Sequence, residues 1–212
     1  MMINLLKSIL IMISLICSNV FGQTINRYGT TAANFLEIGV GSRATSMGDA
    51  YVAVANDVSS IYWNPAGLSN VSNSSALFMV QPWLVDIDML FAGGAVVVPN
   101  VGVLGLGITH LDYGEMDVTN LEYQDGTGER FGASDMAATF TFSRKIVSWF
   151  SFGSSMKYIS SNIWHSSASA FAVDLGVLVN TKFFSFTGND KDGMNIGMSI
   201  SNYGTRMQYD GI

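Results

Sequence analysis

Among 212 residues there is one cysteine, Cys17, there are three prolines, and only 12% of the residues are charged. Each shortage excludes something. A single cysteine cannot make a disulfide scaffold, and if it leaves with a leader it takes Cys-ligated metals and thiol chemistry with it. The charged fraction is about half the ~25% usual for soluble domains. Acids outnumber Lys and Arg by sixteen to ten, whereas a nucleic-acid partner would want a basic stripe. Catalytic groupings are missing too. His110 and His165 lie about 55 positions apart with no cysteine between them, and both read as strand-end or loop residues. There is no G-x-S-x-G elbow, and GVGSRA (39–44) is too loose for a phosphate loop. The expectation is a non-enzymatic protein without metal or cofactor.

What is present begins with a leader. Lys7 is the only charge in residues 1–22, ILIMISLI (9–16) is an unbroken apolar run, and Val20 and Gly22 precede a cut before Gln23. These are the three regions of a secretory signal peptide. The run is well short of the ~20 residues a spanning helix needs. Cys17 would suit a lipoprotein only with a small residue before it, and Ile16 stands there instead. Cleavage leaves nine cations against sixteen acids and no cysteine.

From Ser74 onward the dominant period is two. In ATFTFSRKI (138–146), Ala138, Phe140 and Phe142 oppose Thr139, Thr141 and Ser143. In FSFGSSMKYI (150–159), Phe152, Met156 and Tyr158 oppose Gly153, Ser155 and Lys157. In ASAFAVDLGVLV (168–179), Phe171, Val173 and Leu175 oppose Ala172, Asp174 and Gly176. VLGLGITH (103–110) and MNIGMSISN (194–202) repeat the arrangement. Strict alternation marks strands with two different environments. A soluble exported β-domain also alternates, but its solvent face normally carries Lys, Glu, Arg and Asp. Here the second face is Gly, Ser, Ala and Thr, as suits a narrow or filled barrel interior with lipid outside.

Seven strands are predicted, over 74–83, 87–98, 101–111, 134–146, 149–160, 168–181 and 194–204. Trp83, Trp149, Trp164 and Phe183-Phe184 fall near strand ends, where interfacial aromatic girdles belong. Pro99-Asn100 and Val147-Ser148 read as short periplasmic turns. The 112–133 connection, with six acids against Arg130, reads as a solvated extracellular loop rather than a divalent-cation site. Bacterial single-chain barrels have an even strand count from eight upward, and an open edge in lipid costs several kcal/mol per unpaired group. Seven strands therefore predict the front part of a longer barrel: signal peptide 1–22, plug segment 23–72, partial barrel 73–212.

The plug segment has no period of two. Residues 44–55 suggest one helix or two short ones broken near Met47-Gly48. Asp57 can cap a further turn, and Asn64-Pro65 would end it, because the residue before a proline is pushed out of the helical region. Gly67 would permit the reversal into the first strand. The expectation is that Ile61, Tyr62 and Trp63 fill the lumen while Asn64-Pro65 turns the chain out into the wall. Arg43, Asp49, Asp57 and Asp174 are the charges expected to be paired inside, with holding the plug as their role.

FLEIGVGSRATSMGDAYVAVANDVSSIYWNPAGLS (35–69), with Arg43, Met47-Gly48, Asp57 and Asn64-Pro65-Ala66-Gly67, resembles the N-terminal segment of the PorV/PorQ family, a branch of the FadL-like outer-membrane barrels. SASAFAVDLGVLV (167–179) and MNIGMSISNYGTRMQYDG (194–211) resemble later family segments. The resemblance implies an all-β, FadL-like, fourteen-stranded barrel with an N-terminal plug in the outer membrane of a Gram-negative-type bacterium. It further implies a role in type IX protein secretion, with secretion-system proteins or cargo as partners. The alternative is passage of hydrophobic small molecules. Outer-membrane lipid is the expected surrounding in either case.

Overall fold

The computed structural model describes residues 32–85, 87–188 and 193–210. The leader, with Cys17 and the cut before Gln23, lies outside them, as do residues 189–192 and 211–212. The chain divides into two units, residues 1–32 and 33–212, and the second carries every strand and helix described.

Seven strands form one antiparallel sheet in chain order: β1 Ser75–Pro82, β2 Asp88–Val98, β3 Gly102–Asp117, β4 Arg130–Val147, β5 Phe150–Ile163, β6 Ser166–Asn180 and β7 Asn195–Gly204. Every strand pairs only with its neighbours in sequence, so the sheet is a meander, and β1 and β7 are its two edges. It is part of an all-β barrel wall that does not close on itself among the described residues.

All the predicted strands are present, with ends adjusted by a few residues. The largest correction is at the long connection. β3 runs to Asp117 and β4 starts at Arg130, so the loop is 118–129 rather than 112–133. Residues expected to be solvated loop continue the hairpin past a bulge after Asp112, pairing Glu115 with Gly132, Met116 with Phe131 and Asp117 with Arg130, and the exposed Arg130 also bridges to Asp117 at 3.0 Å and to Glu115 at 3.3 Å. The short turns also shift: β4 ends at Val147, which leaves Ser148-Trp149, and β2 and β3 are joined by 99–101 with Asn100 at φ 65°.

The register shows what the alternation meant. One outward row reads Phe78, Ala92, Ile108, Ala138, Tyr158 and Phe171; the next reads Ala76, Gly94, Leu106, Phe140, Met156 and Val173. Phe78, Leu106, Met156 and Phe171 each keep over 60% of their surface exposed. The opposite face is buried by residues 33–71. An inner row there reads Ala95, Gly105, Thr141, Ser155 and Asp174, directly behind the outward apolar side chains. The covered face is thus mostly small, with Met89, Phe91, Leu111 and Leu178 as its large buried side chains, and the open face carries most of the exposed large apolar ones, the reverse of a soluble sheet packed on a core.

Residues 33–71 are compact and mostly helical turns: a 3-10 turn at Asn34–Glu37, a helix at Ser42–Ser46, a helix at Ser60–Trp63 and a 3-10 helix at Pro65–Asn70. The break expected near Met47-Gly48 occurs there. Met47 closes the first helix, and Gly48 and Asp49 adopt left-handed backbone at φ 63° and 65°.

Candidate functional site

The site is the seam between this plug and the inner face. Its centre is Asn64, fully buried. The Asn64 side-chain amide donates to Val52 O at 2.8 Å and, across to β6, to Val177 O at 3.2 Å. Its Oδ1 accepts from Ala66 N at 3.1 Å, which caps the 3-10 helix that starts at Pro65. Proline suits that first position because its fixed φ is helical and its missing N–H would have no partner there. Ser143 on β4 donates to Ala66 O at 3.1 Å. One side chain and one backbone carbonyl therefore tie the plug to two strands.

Glycines make the approach possible. A Cβ on Gly176 would collide with Asn64 Oδ1 and the Pro65 ring, and one on Gly153 with the Pro65–Ala66 backbone. One on Gly105 would lie 2.7 Å from Leu68 Cδ2, one on Gly107 2.9 Å from Ile61 Cγ2, and one on Gly197 2.6 Å from Ala53 Cα. Five inward glycines on β3, β5, β6 and β7 thus form a bed on which plug side chains and, at Gly153 and Gly197, plug backbone lie.

This corrects two expectations. Asn64-Pro65 ends one helical turn but starts another, and the chain reaches the wall only at Ser75. Gly67 has no left-handed backbone; it is needed because a Cβ would strike Ala55 O and lie 2.9 Å from Ser60 Oγ.

Of the other candidate residues, Ile61 packs on the wall, while Tyr62, Trp63 and Asp57 hold the plug to itself. Ile61 is buried with Val58 and Leu68 against Val103 and Ala95. Tyr62 is half-buried and donates to Leu36 O at 2.7 Å; Trp63 Nε1 donates to Val40 O at 2.8 Å. Their rings meet edge-on at 4.9 Å, and Tyr51 adds a second edge contact to Trp63 at 6.2 Å. Asp57 accepts from Ser59 N at 2.9 Å and from Tyr51 OH at 3.2 Å, which fixes the turn leading into the Ser60–Trp63 helix, whose own N-cap is Ser59. Burial, then the Asp57 carboxylate, pushes the Tyr51 hydroxyl up from its usual value. Burial dominates also at Tyr62, with Asp49 and Glu37 adding to the rise. Both phenols are protonated at neutral pH.

Of the four charges expected to be paired, only Asp174 is in an ion pair among the described residues. Arg43 is exposed; its Nη1 donates to Asn56 Oδ1 at 2.9 Å and its guanidinium lies 5.3 Å from the Tyr51 ring centroid. Asp49 is exposed beside Gly39. The partner of Asp174 is Lys157, at 2.8 Å, with side chains 1% and 4% exposed. Asn202 completes the group: its N–H donates to Asp174 at 2.7 Å and its Oδ1 accepts from Lys157 Nζ at 2.7 Å. The register slips there, so that Val173 faces Tyr203 while Leu175 faces Ile200. Sequence reasoning missed Lys157 as a site residue. The signal was available, since Lys157 is the one cation on the small face of its strand.

A meander with an apolar open face, a small-residue face and a helical insert seated on that face defines a class: a plugged β-barrel wall. Residues 21–212 match the family described as type IX secretion system protein PorV, and the chain belongs to that family. A comparison with curated proteins found no match.

Proposed function

We propose that this protein acts in the outer membrane as a non-enzymatic barrel component of type IX secretion, exported through a leader cleaved after Gly22. The family match over residues 21–212 carries the reading. The outward rows support the membrane part. Along β6 the apolar outward positions run from Phe171 through Val173, Leu175 and Val177 to Val179. At ~3.4 Å per residue and a tilt near 40°, that spans about 20 Å, close to the ~25 Å band of outer-membrane barrels. Beyond His110 the next outward row is polar, with Asp88, Asp112, Ser134 and Asn162. Toward the other end Arg144 stands in the row of Phe152 and Val177. Exposed Trp83 and Trp164 lie toward the first boundary, and Trp149, Phe183 and Phe184 toward the second. Lipid is then the partner of the outer face, and secretion components or cargo are met at the ends.

The test is a gene deletion with complementation. The protein should fractionate with the outer membrane and migrate differently with and without boiling. Its loss should trap type IX cargo in the periplasm while uptake of long-chain fatty acids is unchanged. Recovery in a soluble fraction, or intact cargo export without the protein, would sink the reading. Lost fatty-acid uptake with normal export would favour transport of hydrophobic compounds.

A further inference from the structure

We propose that the cleft between the plug and strands β4, β6 and β7, at the end of the sheet that carries the short turns, binds an acidic peptide segment. The cleft has a volume of about 870 Å³. Its lining holds two cations, Arg43 and Lys145, and no carboxylate among the described residues, in a chain whose acids outnumber Lys and Arg by sixteen to ten. Positive charge gathered against the net sign of the chain selects an anionic occupant. Arg43 is pre-set by Asn56 and by the Tyr51 ring. Lys145 faces Ser151 across the inner register and makes no ion pair among the described residues.

The remaining lining argues for a peptide over a simple anion. Asn70, Asn180 and Asn195 line the cleft. Asn180 donates to Asn195 at 2.8 Å, which orients both and leaves the Asn180 oxygen and the Asn195 amide for a ligand. Carboxamides offer an acceptor beside each donor, as a peptide backbone requires; toward an inorganic anion those oxygens would be repulsive. Leu178 and the stretch 53–55 supply an apolar floor.

Only the side of the membrane that the cleft faces rests on the proposed function; binding itself is measured on purified protein. The probe is a fluorescein-labelled Gly-Glu-Asp-Glu-Gly peptide, titrated against the detergent-solubilised full chain by fluorescence anisotropy. Its Gly-Gln-Asn-Gln-Gly counterpart is the control, and inorganic phosphate is the competitor. The expected result is saturable binding of the acidic peptide that weakens with added salt, with little binding of the neutral one. Arg43→Gln and Lys145→Gln should each weaken it about tenfold, a loss of ~1.4 kcal/mol. Arg144→Gln, on the outward face, should not change it. The heat-dependent gel shift of each variant verifies that it is folded. Equal binding of both peptides, no saturable binding by the folded protein, or unchanged affinity in both cleft variants would overturn the proposal. Full displacement by phosphate at matched ionic strength would overturn the peptide assignment.

Discussion

Replacing Gly176 by alanine adds one carbon at the most crowded point of the seam. The new Cβ would overlap Asn64 Oδ1 and lie 2.8 and 3.0 Å from Pro65 Cδ and Cγ. The glycine bed leaves no room to yield, because Gly153 already touches the same Pro65–Ala66 backbone. Overpacking of this kind costs ~1–3 kcal/mol. Pushing Asn64 away also loosens its bond to Val177 O, worth ~1 kcal/mol, while relief of glycine's unfolded-state entropy returns ~0.4–1 kcal/mol. The expected net loss is about 1–3 kcal/mol. Gly94 is the internal control. It lies on the outward face, where a Cβ would meet nothing closer than Ser75 O at 3.9 Å, so Gly94→Ala should be neutral or stabilise by up to ~1 kcal/mol. The assay is a urea titration of the refolded protein in detergent. Trp83, Trp149 and Trp164 are changed to phenylalanine, leaving Trp63 of the four tryptophans as reporter. If the two glycine variants unfold within ~0.5 kcal/mol of each other, the plug is not seated on the wall as described.

Breaking the Lys157–Asp174 pair by Asp174→Asn or Lys157→Met should cost ~3–5 kcal/mol, since either leaves a charge buried alone. The double variant Lys157→Met, Asp174→Leu should recover most of that loss in the same titration; a double loss equal to the sum would refute a coupled pair. Asn64→Asp should destabilise more than Asn64→Ala, because a carboxylate cannot donate to Val52 O and Val177 O and is buried as a charge. The raised Tyr51 and Tyr62 hydroxyls favour the folded state fully below about pH 10, the unfolded tyrosine value. That stability is lost as pH rises from there through the folded values. Urea midpoints should therefore fall between pH 10 and pH 12, with a shallower fall in a Tyr51→Phe, Tyr62→Phe variant; identical slopes would show that these hydroxyls do not titrate differently on folding.

The period of two determined most of the wall. It placed the seven strands, assigned large apolar and small residues to opposite faces, and put Lys157 and Asp174 on the same side. These features are local: each depends on neighbours one or two positions away, and a strand's backbone enforces them wherever it lies. The helix break at Met47-Gly48 and the turn at Asp57 were legible for the same reason. Tertiary structure alone decided why the small face is small. The Asn64–Val177 contact joins residues 113 positions apart, and no periodicity reports which glycine will lie under which turn of the plug. It likewise decided that Gly67 is needed for contact rather than for its backbone angles, and that the partner of Asp174 is Lys157. Partners of that kind are chosen by the register of whole strands and the depth at which the plug sits, both of which emerge only when the sheet is assembled.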